Sequence, residues 1–289
     1  MSDFAVIITK KESGVTSFQS LSPIKKIYKG SKVGHCGTLD KFASGLMIVL
    51  TGEAAKLNPV FSGFDKSYRA RIMLGCETDT LDPEGEVVRR CDHIPSIDEI
   101  EKILPSFTGE IEQVPPVYSA IHVGGKRAYE LARSDREVEM KARKVRIHSL
   151  SVLSYEAPYL VIDCRVSKGT YIRSLARDIA AAAGSAGHLT ALERYSIGPF
   201  GYGDITGIPS PAEETEERLK AVIDGVIDFA DSGLFRLRNG YVQPGAVKYK
   251  SGSSSGYYLL YNKGRLLGVL CDKEGGGYSI TAMVNREDI

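Results

Sequence analysis

Short apolar runs and helical spacings alternate irregularly along the first 200 residues of the chain. Apolar runs rich in β-branched residues predict strands, and these cover residues 6–9, 46–50, 68–74, 145–153 and 160–166. Apolar residues at helical spacing predict helices, whose ends are marked by a preceding Ser or Thr or a following Gly. These helices cover residues 18–28, 97–104 and 170–183, with a helical turn at 53–57.

The order of these elements predicts the fold class. Several strands with few helices, and no regular alternation of the two, favour an α+β core around a mixed or antiparallel sheet. From Phe235 onward the pattern changes to short strands separated by Gly-rich turns, such as the one at 275–277. We therefore expect a larger domain over residues 1–232, with 224–230 as its closing helix or strand, and a small β domain over 233–289.

Charge is spread unevenly along a chain of 289 residues whose net charge is only +1. Residues 10–35 hold six Lys against one Glu, or +5, and residues 121–148 hold eight Lys or Arg against four acids, or +4. Residues 210–231 hold seven acids against two bases, or −5. The basic segments fit a surface that follows phosphates, although any one run taken alone is more often a solvated helix face.

Several classes of protein are excluded by what the chain lacks. No segment approaches the roughly 18 consecutive apolar residues of a membrane span, and the apolar run at the amino terminus is short for a signal peptide. We therefore expect a cytoplasmic protein without membrane contact. The five cysteines include no C-x-x-C spacing and the five histidines form no paired motif, so neither a disulfide framework nor a metal site is expected.

The strongest candidate for chemistry is the segment Gly34-His35-Cys36-Gly37-Thr38-Leu39-Asp40. Its glycines permit tight turns and close approach of a ligand, and the lysine-rich segment 25–32 just upstream can hold phosphates. Asp40 is thus presented as a single carboxylate for chemistry on a polyanion. The alternative is that Asp40 caps a short helix beginning at Lys41.

This segment is similar to the active-site signature of the TruB family of tRNA pseudouridine-55 synthases. Further segments agree with that family in the same order, so that the resemblance extends over about residues 4–200. Several motifs in order are a stronger signal than any one of them. The other matching segments are 11–17 (KESGVTS), 66–70 (KSYRA), 78–85 (TDTLDPEG), 113–120 (QVPPVYSA), 167–175 (SKGTYIRSL) and 188–194 (HLTALER).

The resemblance implies the pseudouridine synthase fold, a PUA-like RNA-binding module at 233–289, and isomerisation of uridine to pseudouridine at position 55 in the T arm of tRNA. It also implies a standalone monomer that needs no cofactor and no metal. Asp40 would be the nucleophile, and a buried carboxylate needs a cationic partner to stay ionised. The resemblance assigns that role to Arg173, which residue type alone would make an exposed helix residue.

Three residues handle the uracil base according to the same resemblance. Tyr68 stacks on the base and removes the proton from its C5, although a Tyr in a strand is more often a core or rim residue. His35 lies against the RNA beside the flipped nucleotide as a wedge, the alternative being a hydrogen-bonding turn residue. Leu192 lines the uracil pocket, or simply packs in the core as its helical context would allow.

Phosphate contacts are expected from basic side chains near the site and from a thumb insertion at about 121–148 that closes on the T arm. The candidates are Lys11, Lys66, Lys126, Arg127, Arg143 and Lys144. The chain departs from the usual family pattern where Glu12 and Lys41 replace Pro and where Cys36 replaces Thr. Losing a proline changes stability by under about 1 kcal/mol, so inactivity does not follow. Cys36 is either oxidant-sensitive or an inert small residue.

Two other functions fit the same motifs. One is an RNA-binding protein that assists tRNA folding without catalysis, against which the intact Asp40, Tyr68 and Arg173 speak. The other is an RNA-guided pseudouridine synthase that acts on ribosomal RNA. The compact carboxy-terminal domain and the lack of a long basic tail favour the standalone enzyme over that alternative.

Overall fold

Two β-sheets form the frame of the structure, a computed structural model that describes residues 3–119, 122–123, 126–127, 140–206 and 212–284. The strands are β1 (Ala5–Lys11), β2 (Val33–His35), β3 (Ser44–Thr51), β4 (Lys66–Leu74), β5 (Cys76–Thr78), β6 (Val87–Arg90), β7 (Gly109–Gln113), β8 (His122–Val123), β9 (Lys126–Arg127), β10 (Arg143–Glu156), β11 (Tyr159–Val166), β12 (Gly187–Ile197), β13 (Gly225–Phe229), β14 (Val247–Lys250), β15 (Tyr257–Asn262), β16 (Arg265–Asp272) and β17 (Tyr278–Met283). The α-helices are α1 (Ser22–Ile27), α2 (Asn58–Ser62), α3 (Ile97–Ile103), α4 (Ile172–Ala182), α5 (Ala212–Lys220) and α6 (Leu234–Arg238). Short 3₁₀ turns lie at Gln19–Leu21, Gly52–Leu57, Leu104–Phe107, Tyr202–Asp204, Asp231–Gly233 and Pro244–Ala246.

The first sheet is mixed, which confirms the predicted fold class. Its order is β1-β3-β12-β4-β11-β10-β7, and β2 also pairs with β3. Neighbouring strands run antiparallel except β3 and β12, which are parallel and pair at 44–45 and 193–194. This parallel pair is important for the site, because it places the segment that enters β3 beside β12.

Each face of the first sheet buries a different hydrophobic cluster. Because successive side chains of a strand point to opposite faces, Ile7 and Met47 join the cluster that contains α4, while Val6 and Ile8 join the other. The apolar face of α4 is buried as its spacing predicts, and Arg173 and Ser174 are buried in addition to it. The catalytic candidates in α4 are therefore held on a helix packed firmly against the sheet.

The second sheet, with the order β14-β13-β15-β16-β17, is not an isolated unit. Leu259, Val269 and Ala282 of this sheet lie in the same hydrophobic cluster as Val6 and Ile8 of the first. One apolar core therefore joins the two sheets.

The predicted start of the small β domain at residue 233 falls after a strand that belongs to the second sheet. This strand is β13, which runs parallel to β15 and antiparallel to β14. Its alternate residues Gly225, Ile227 and Phe229 are buried, as expected of a strand inside a sheet. Strand β13 therefore belongs to the second sheet, and the boundary between the two predicted domains stays a prediction.

Most of the predicted elements are confirmed, with boundaries that differ by a few residues. The start of α3 has the predicted cap, since Ser96 Oγ accepts from the Glu99 amide and the Glu99 carboxylate accepts from the Ser96 amide. The helix predicted over 18–28 is a 3₁₀ turn followed by α1. Pro23 explains the break, because proline is tolerated only in the first turn of a helix.

Two local predictions near the candidate site are wrong. Leu192 lies in strand β12 rather than in a helix, because this segment pairs with β4 on one side and β3 on the other. Residues 41–43 form no helix, so Asp40 is not an N-cap residue. The purely structural explanation of Asp40 as a capping residue is thereby excluded.

Candidate active site

Asp40 lies on the loop between β2 and β3, and neighbouring segments hold this loop in place. Ser17 Oγ donates to the Leu39 carbonyl and accepts from the Leu39 amide, both at 2.9 Å. Just after the loop, Gly45 has φ +124°, and a Cβ there would lie 2.2 Å from the Arg194 carbonyl oxygen. The close approach of β3 to β12 therefore requires glycine at this position.

Arg173 pairs with Asp40, as the resemblance implies. Its Nη2 donates to Asp40 Oδ1 at 3.1 Å, and its Nε lies 2.9 Å from Asp40 Oδ2, outside the angular range of a hydrogen bond. The Arg173 side chain is 6% exposed, whereas the Asp40 side chain is 35% exposed. A fixed positive charge thus lies behind a carboxylate that a substrate can still reach.

A second carboxylate, Asp82, contacts the other side of the Arg173 guanidinium. Arg173 Nη1 lies 3.4 Å from Asp82 Oδ2 and donates to the Thr80 carbonyl at 2.8 Å. Asp82 is itself held by Thr80 Oγ1, at 2.6 Å, and by the Glu84 amide, at 3.0 Å. Asp82 was not among the predicted site residues. The sequence did contain a signal for Asp82, because segment 78–85 resembles the family, but no role was assigned to that segment.

The start of α4 is docked onto the end of β7, and this contact fixes the position of Arg173. Gln113 Nε2 donates to the Tyr171 carbonyl at 3.1 Å, and Gln113 Oε1 accepts from the Tyr171 amide at 2.8 Å. Ser174 Oγ donates to the Val114 carbonyl at 2.8 Å. Arg173 Nη2 also donates to the Tyr118 carbonyl at 2.9 Å. The segment 113–118 therefore holds Arg173 in position. The sequence motif at 113–120 does not by itself reveal this role.

The environment of Asp40 makes its carboxylate more basic than usual. Burial raises the pKa of Asp40, and the negative charge of Asp82 raises it further. The Arg173 guanidinium opposes both effects by charge and by its hydrogen bond, but the pKa stays above its ordinary value. Arg173 therefore favours the ionised form of Asp40 against the effect of burial.

Tyr68 and Leu192, the two residues predicted to hold the base, lie in the apolar core on the α4 side of the first sheet. Both are buried and belong to the same hydrophobic cluster as Leu39 and Ile172, the chain neighbours of Asp40 and Arg173. Tyr68 on β4 lies opposite Arg194 on β12, and burial raises the pKa of its phenol. An aromatic ring and an aliphatic side chain next to a carboxylate suit a flat uncharged base.

His35 lies at the end of β2, partly buried. Its Nδ1 has no hydrogen-bond partner among the residues that the structure describes, and burial together with the charge of Arg194 lowers its pKa. The imidazole is therefore neutral near pH 7. Its predicted contact with RNA stays a prediction.

Lys11 and Lys66, predicted as phosphate contacts, are not available for that role in this structure. Lys11 is fully buried, and its Nζ donates to the carbonyls of Glu12, Val15 and Lys41 at 3.0, 2.7 and 3.2 Å. Lys66 Nζ donates to the carbonyls of Ser62 and Phe64 at 3.2 and 2.6 Å, and burial lowers the pKa of Lys66 to about 8. A buried ammonium needs such partners, so both lysines hold loops together instead.

The remaining predicted phosphate contacts keep their status as predictions. Arg143 and Lys144 are exposed at the start of β10, where Lys144 Nζ lies 3.1 Å from Glu110 Oε1. The backbone of Lys126 and Arg127 forms β9, paired with β8, but their side chains lie outside the described part of the chain. The predicted thumb at 121–148 lies largely outside the described residues as well.

The three departures from the family pattern have clear local explanations. Cys36 is fully buried and burial raises the pKa of its thiol to about 12, so the inert alternative is the correct one. Glu12 is exposed and pairs with Lys10 at 3.7 Å. Lys41 pairs with Glu84 at 2.9 Å. None of the three disturbs the Asp40–Arg173 pair.

Metal sites and membrane-spanning helices are considered for residues 3–119, 122–123, 126–127, 140–206 and 212–284. Within those ranges, no three His, Cys, Asp or Glu side chains come together in a way that could bind a metal ion. The described helices include none that is both long and apolar enough to cross a membrane.

Comparison with known proteins identifies the family to which the chain is related. Residues 25–172, about half of the chain, match the family model of the TruB family pseudouridylate synthase N-terminal domain. A relative from Borreliella burgdorferi strain ZS7 named tRNA pseudouridine synthase B is 44% identical over 202 residues, which cover 69% of this chain and 72% of the relative. A protein of the same name from Aromatoleum aromaticum is 38% identical over 275 residues, covering 93% of this chain and 89% of the relative.

Solved structures support the fold independently. The Cbf5 complex with Nop10 and Gar1 contains a chain with a TM-score of 0.68 at 22% identity, covering 99% of this chain and 86% of that one. An H/ACA ribonucleoprotein bound to a substrate RNA containing 2′-deoxyuridine gives a TM-score of 0.66 at 22% identity, covering 97% and 84%. At this identity the likeness shows the fold alone, which is the predicted pseudouridine synthase fold. The family model and the identity to the relatives go further: the chain belongs to the TruB family of pseudouridylate synthases.

Proposed function

We propose that this protein isomerises uridine to pseudouridine at position 55 in the T arm of tRNA, with Asp40 as its nucleophile. Pseudouridine formation in tRNA follows from membership of the family and from the relatives named tRNA pseudouridine synthase B. The observation that carries the role of Asp40 is its pairing with a buried guanidinium, at 2.9 and 3.1 Å, while part of the carboxylate stays accessible.

The reaction needs one ionised carboxylate and no oxidant or reductant. The N1–C1′ bond of the nucleotide breaks, the uracil turns, and a C5–C1′ bond forms; C5 loses its proton and N1 gains one. A carboxylate that forms a covalent intermediate divides this change into two easier steps. Arg173 supports each step by holding Asp40 ionised against the effect of burial.

A uridine inside a folded loop has to leave its stack before Asp40 can reach it. Tyr68 and Leu192 provide an apolar surface for the extruded base next to the carboxylate. Base stacking on an aromatic ring contributes about 1 to 3 kcal/mol, which offsets part of the cost of unstacking. His35, neutral and close to the Asp40 loop, is the proposed wedge that fills the vacated position.

The test is release of tritium from unmodified tRNA labelled at uridine C5. The wild-type chain is compared with Asp40→Asn and with a transcript whose T-loop target uridine is replaced by cytidine. Asp178→Asn is a matched control, because Asp178 also pairs with an arginine at 2.8 Å and also has its pKa raised by burial, but its arginine partner is Arg177 instead of Arg173.

We expect release that requires both Asp40 and the target uridine, and that survives in Asp178→Asn. A wild-type protein that binds the tRNA without releasing tritium would establish the binding-protein alternative. Release only in the presence of guide RNA and partner proteins would establish the RNA-guided alternative.

A further inference from the structure

The residue after the proposed nucleophile, Lys41, is exposed. Its Nζ lies 2.9 Å from Glu84 Oε1, and the two side chains are 51% and 44% exposed. The backbone of Lys41 is fixed, because its carbonyl accepts from Lys11 Nζ at 3.2 Å and from the Gly14 amide at 2.8 Å. The ammonium is thus held near Asp40 on a flexible stem that starts from a rigid point.

Glu84 belongs to the loop that supports the other side of Arg173. The amide of Glu84 donates to Asp82 Oδ1 at 3.0 Å, and Asp82 lies 3.4 Å from Arg173. The Lys41–Glu84 pair therefore joins the loop that carries Asp40 to the loop that carries Asp82. Both loops contribute a carboxylate to Arg173, so this pair is linked to the charges of the site.

The substrate brings negative charge to a place where the cations already described are engaged. A nucleotide at Asp40 carries a phosphodiester on each side, next to the carboxylates of Asp40 and Asp82. Lys11 and Lys66 donate to backbone carbonyls, and Arg173 is shared by two carboxylates. Lys41 is the lysine nearest to Asp40 in sequence, and its partner is an exposed carboxylate that a phosphate can replace.

We propose that Lys41 exchanges Glu84 for a phosphodiester group adjacent to the target nucleotide of the substrate RNA. This inference rests on the proposed function, since it takes RNA as the substrate. An exposed ion pair is worth little, so breaking the Lys41–Glu84 contact costs little. A lysine ammonium suits the exchange, because it is a compact charge on a four-carbon stem and binds phosphate without a fixed direction.

Glu84 is then a competitor of the RNA, and the two members of the pair have opposite effects. Removing the charge of Lys41 weakens RNA binding, whereas removing the charge of Glu84 strengthens it by releasing the lysine. A purely structural link between the loops predicts something else: both substitutions would act in the same direction, and exchanging the two charges would restore the wild-type behaviour.

The experiment measures the dissociation constant of the full chain for an unmodified tRNA transcript at several salt concentrations, together with kcat for tritium release. The variants are Lys41→Met, Glu84→Gln and the charge exchange Lys41→Glu with Glu84→Lys. Lys220→Met is the matched control, since Lys220 is similarly exposed and pairs with Glu216 at 2.6 Å in the acidic helix α5.

We expect Lys41→Met to weaken binding about tenfold, an effect larger than the one on kcat at saturating tRNA. Its slope of log affinity against log salt falls by about 0.7 to 0.9, the value for one phosphate contact. Glu84→Gln tightens binding, the charge exchange binds more weakly than Lys41→Met, and Lys220→Met matches wild type.

The proposal is overturned if Lys41→Met behaves as Lys220→Met does, or if the charge exchange restores wild-type affinity. The affinity and its salt dependence can be measured even if the protein binds tRNA without releasing tritium. That result would refute the proposed function, and the Lys41 contact could still be tested. Absence of tRNA binding by the wild type would overturn both.

Discussion

Replacing Lys11 by Met tests whether this lysine holds the Asp40 loop or contacts RNA. In the structure its ammonium is fully buried and donates to three carbonyls, those of Glu12, Val15 and Lys41, at 2.7 to 3.2 Å. Met has a similar length and no charge, so Lys11→Met removes the three hydrogen bonds without opening a large cavity.

The magnitude follows from two opposing effects. Hydrogen bonds from a charged donor contribute about 1.5 to 3 kcal/mol each, so three of them contribute roughly 5 to 9 kcal/mol. Burying the ammonium costs several kcal/mol, and burial accordingly lowers the pKa of Lys11. We expect Lys11→Met to reduce the free energy of unfolding by about 2 to 4 kcal/mol.

The assay combines urea unfolding with steady-state tritium release. Because Lys11 fixes the carbonyl next to Asp40, kcat should fall about 10- to 100-fold while KM for tRNA changes little. Lys10→Met is the control, since Lys10 is the exposed neighbour in β1 and pairs with Glu12 at 3.7 Å. An unchanged unfolding midpoint with a raised KM would refute this reasoning and return Lys11 to the role of phosphate contact.

Three further outcomes are expected from the charges around the site. In wild type, kcat should be lost on acidification with a midpoint above the usual Asp pKa, because burial keeps the pKa of Asp40 raised. Asp82→Asn should move that midpoint to lower pH, since the charge of Asp82 contributes to the raised pKa of Asp40. A shift of the midpoint to higher pH would contradict the observed contacts of Asp82. Between pH 8 and 10 the free energy of unfolding of wild type should rise relative to that of Lys66→Met. The reason is that Lys66 has a pKa of about 8 in the folded protein, whereas the unfolded chain binds its proton more tightly. Urea denaturation at several pH values measures this difference. Brief alkylation at pH 7.5 followed by mass spectrometry should leave Cys36 unmodified while the partly exposed Cys271 reacts.

The elements that were predictable are those whose pattern is local. The buried face of α4 follows from the spacing of its own apolar residues, and the cap of α3 from Ser96 and Glu99 three positions apart. Leu192 was misplaced because the pairing of β12 with β4 shifts register between Leu189 and Ala191. A bulge of this kind breaks the two-residue period that identifies a strand.

The site was predictable only where a motif carried it. Asp40 and Arg173 were found through the resemblance, but the burial of Arg173 depends on partners at Asp82 and Tyr118, which are distant in sequence. Lys11 and Lys66 were expected to reach RNA phosphates, whereas the structure buries both of them. Lysine is exposed by default, and no local pattern shows that backbone carbonyls will surround an ammonium.

The hydrophobic cluster shared by the two sheets has a consequence for how the protein responds to its ligands. Since Val6 and Ile8 belong to the same hydrophobic cluster as Leu259 and Val269, opening either sheet exposes part of the core that the two share. We expect both sheets to melt in a single cooperative transition. A ligand that binds either sheet then raises the melting temperature of the whole chain by mass action. RNA bound far from Asp40 therefore still stabilises the loop of Asp40 against unfolding.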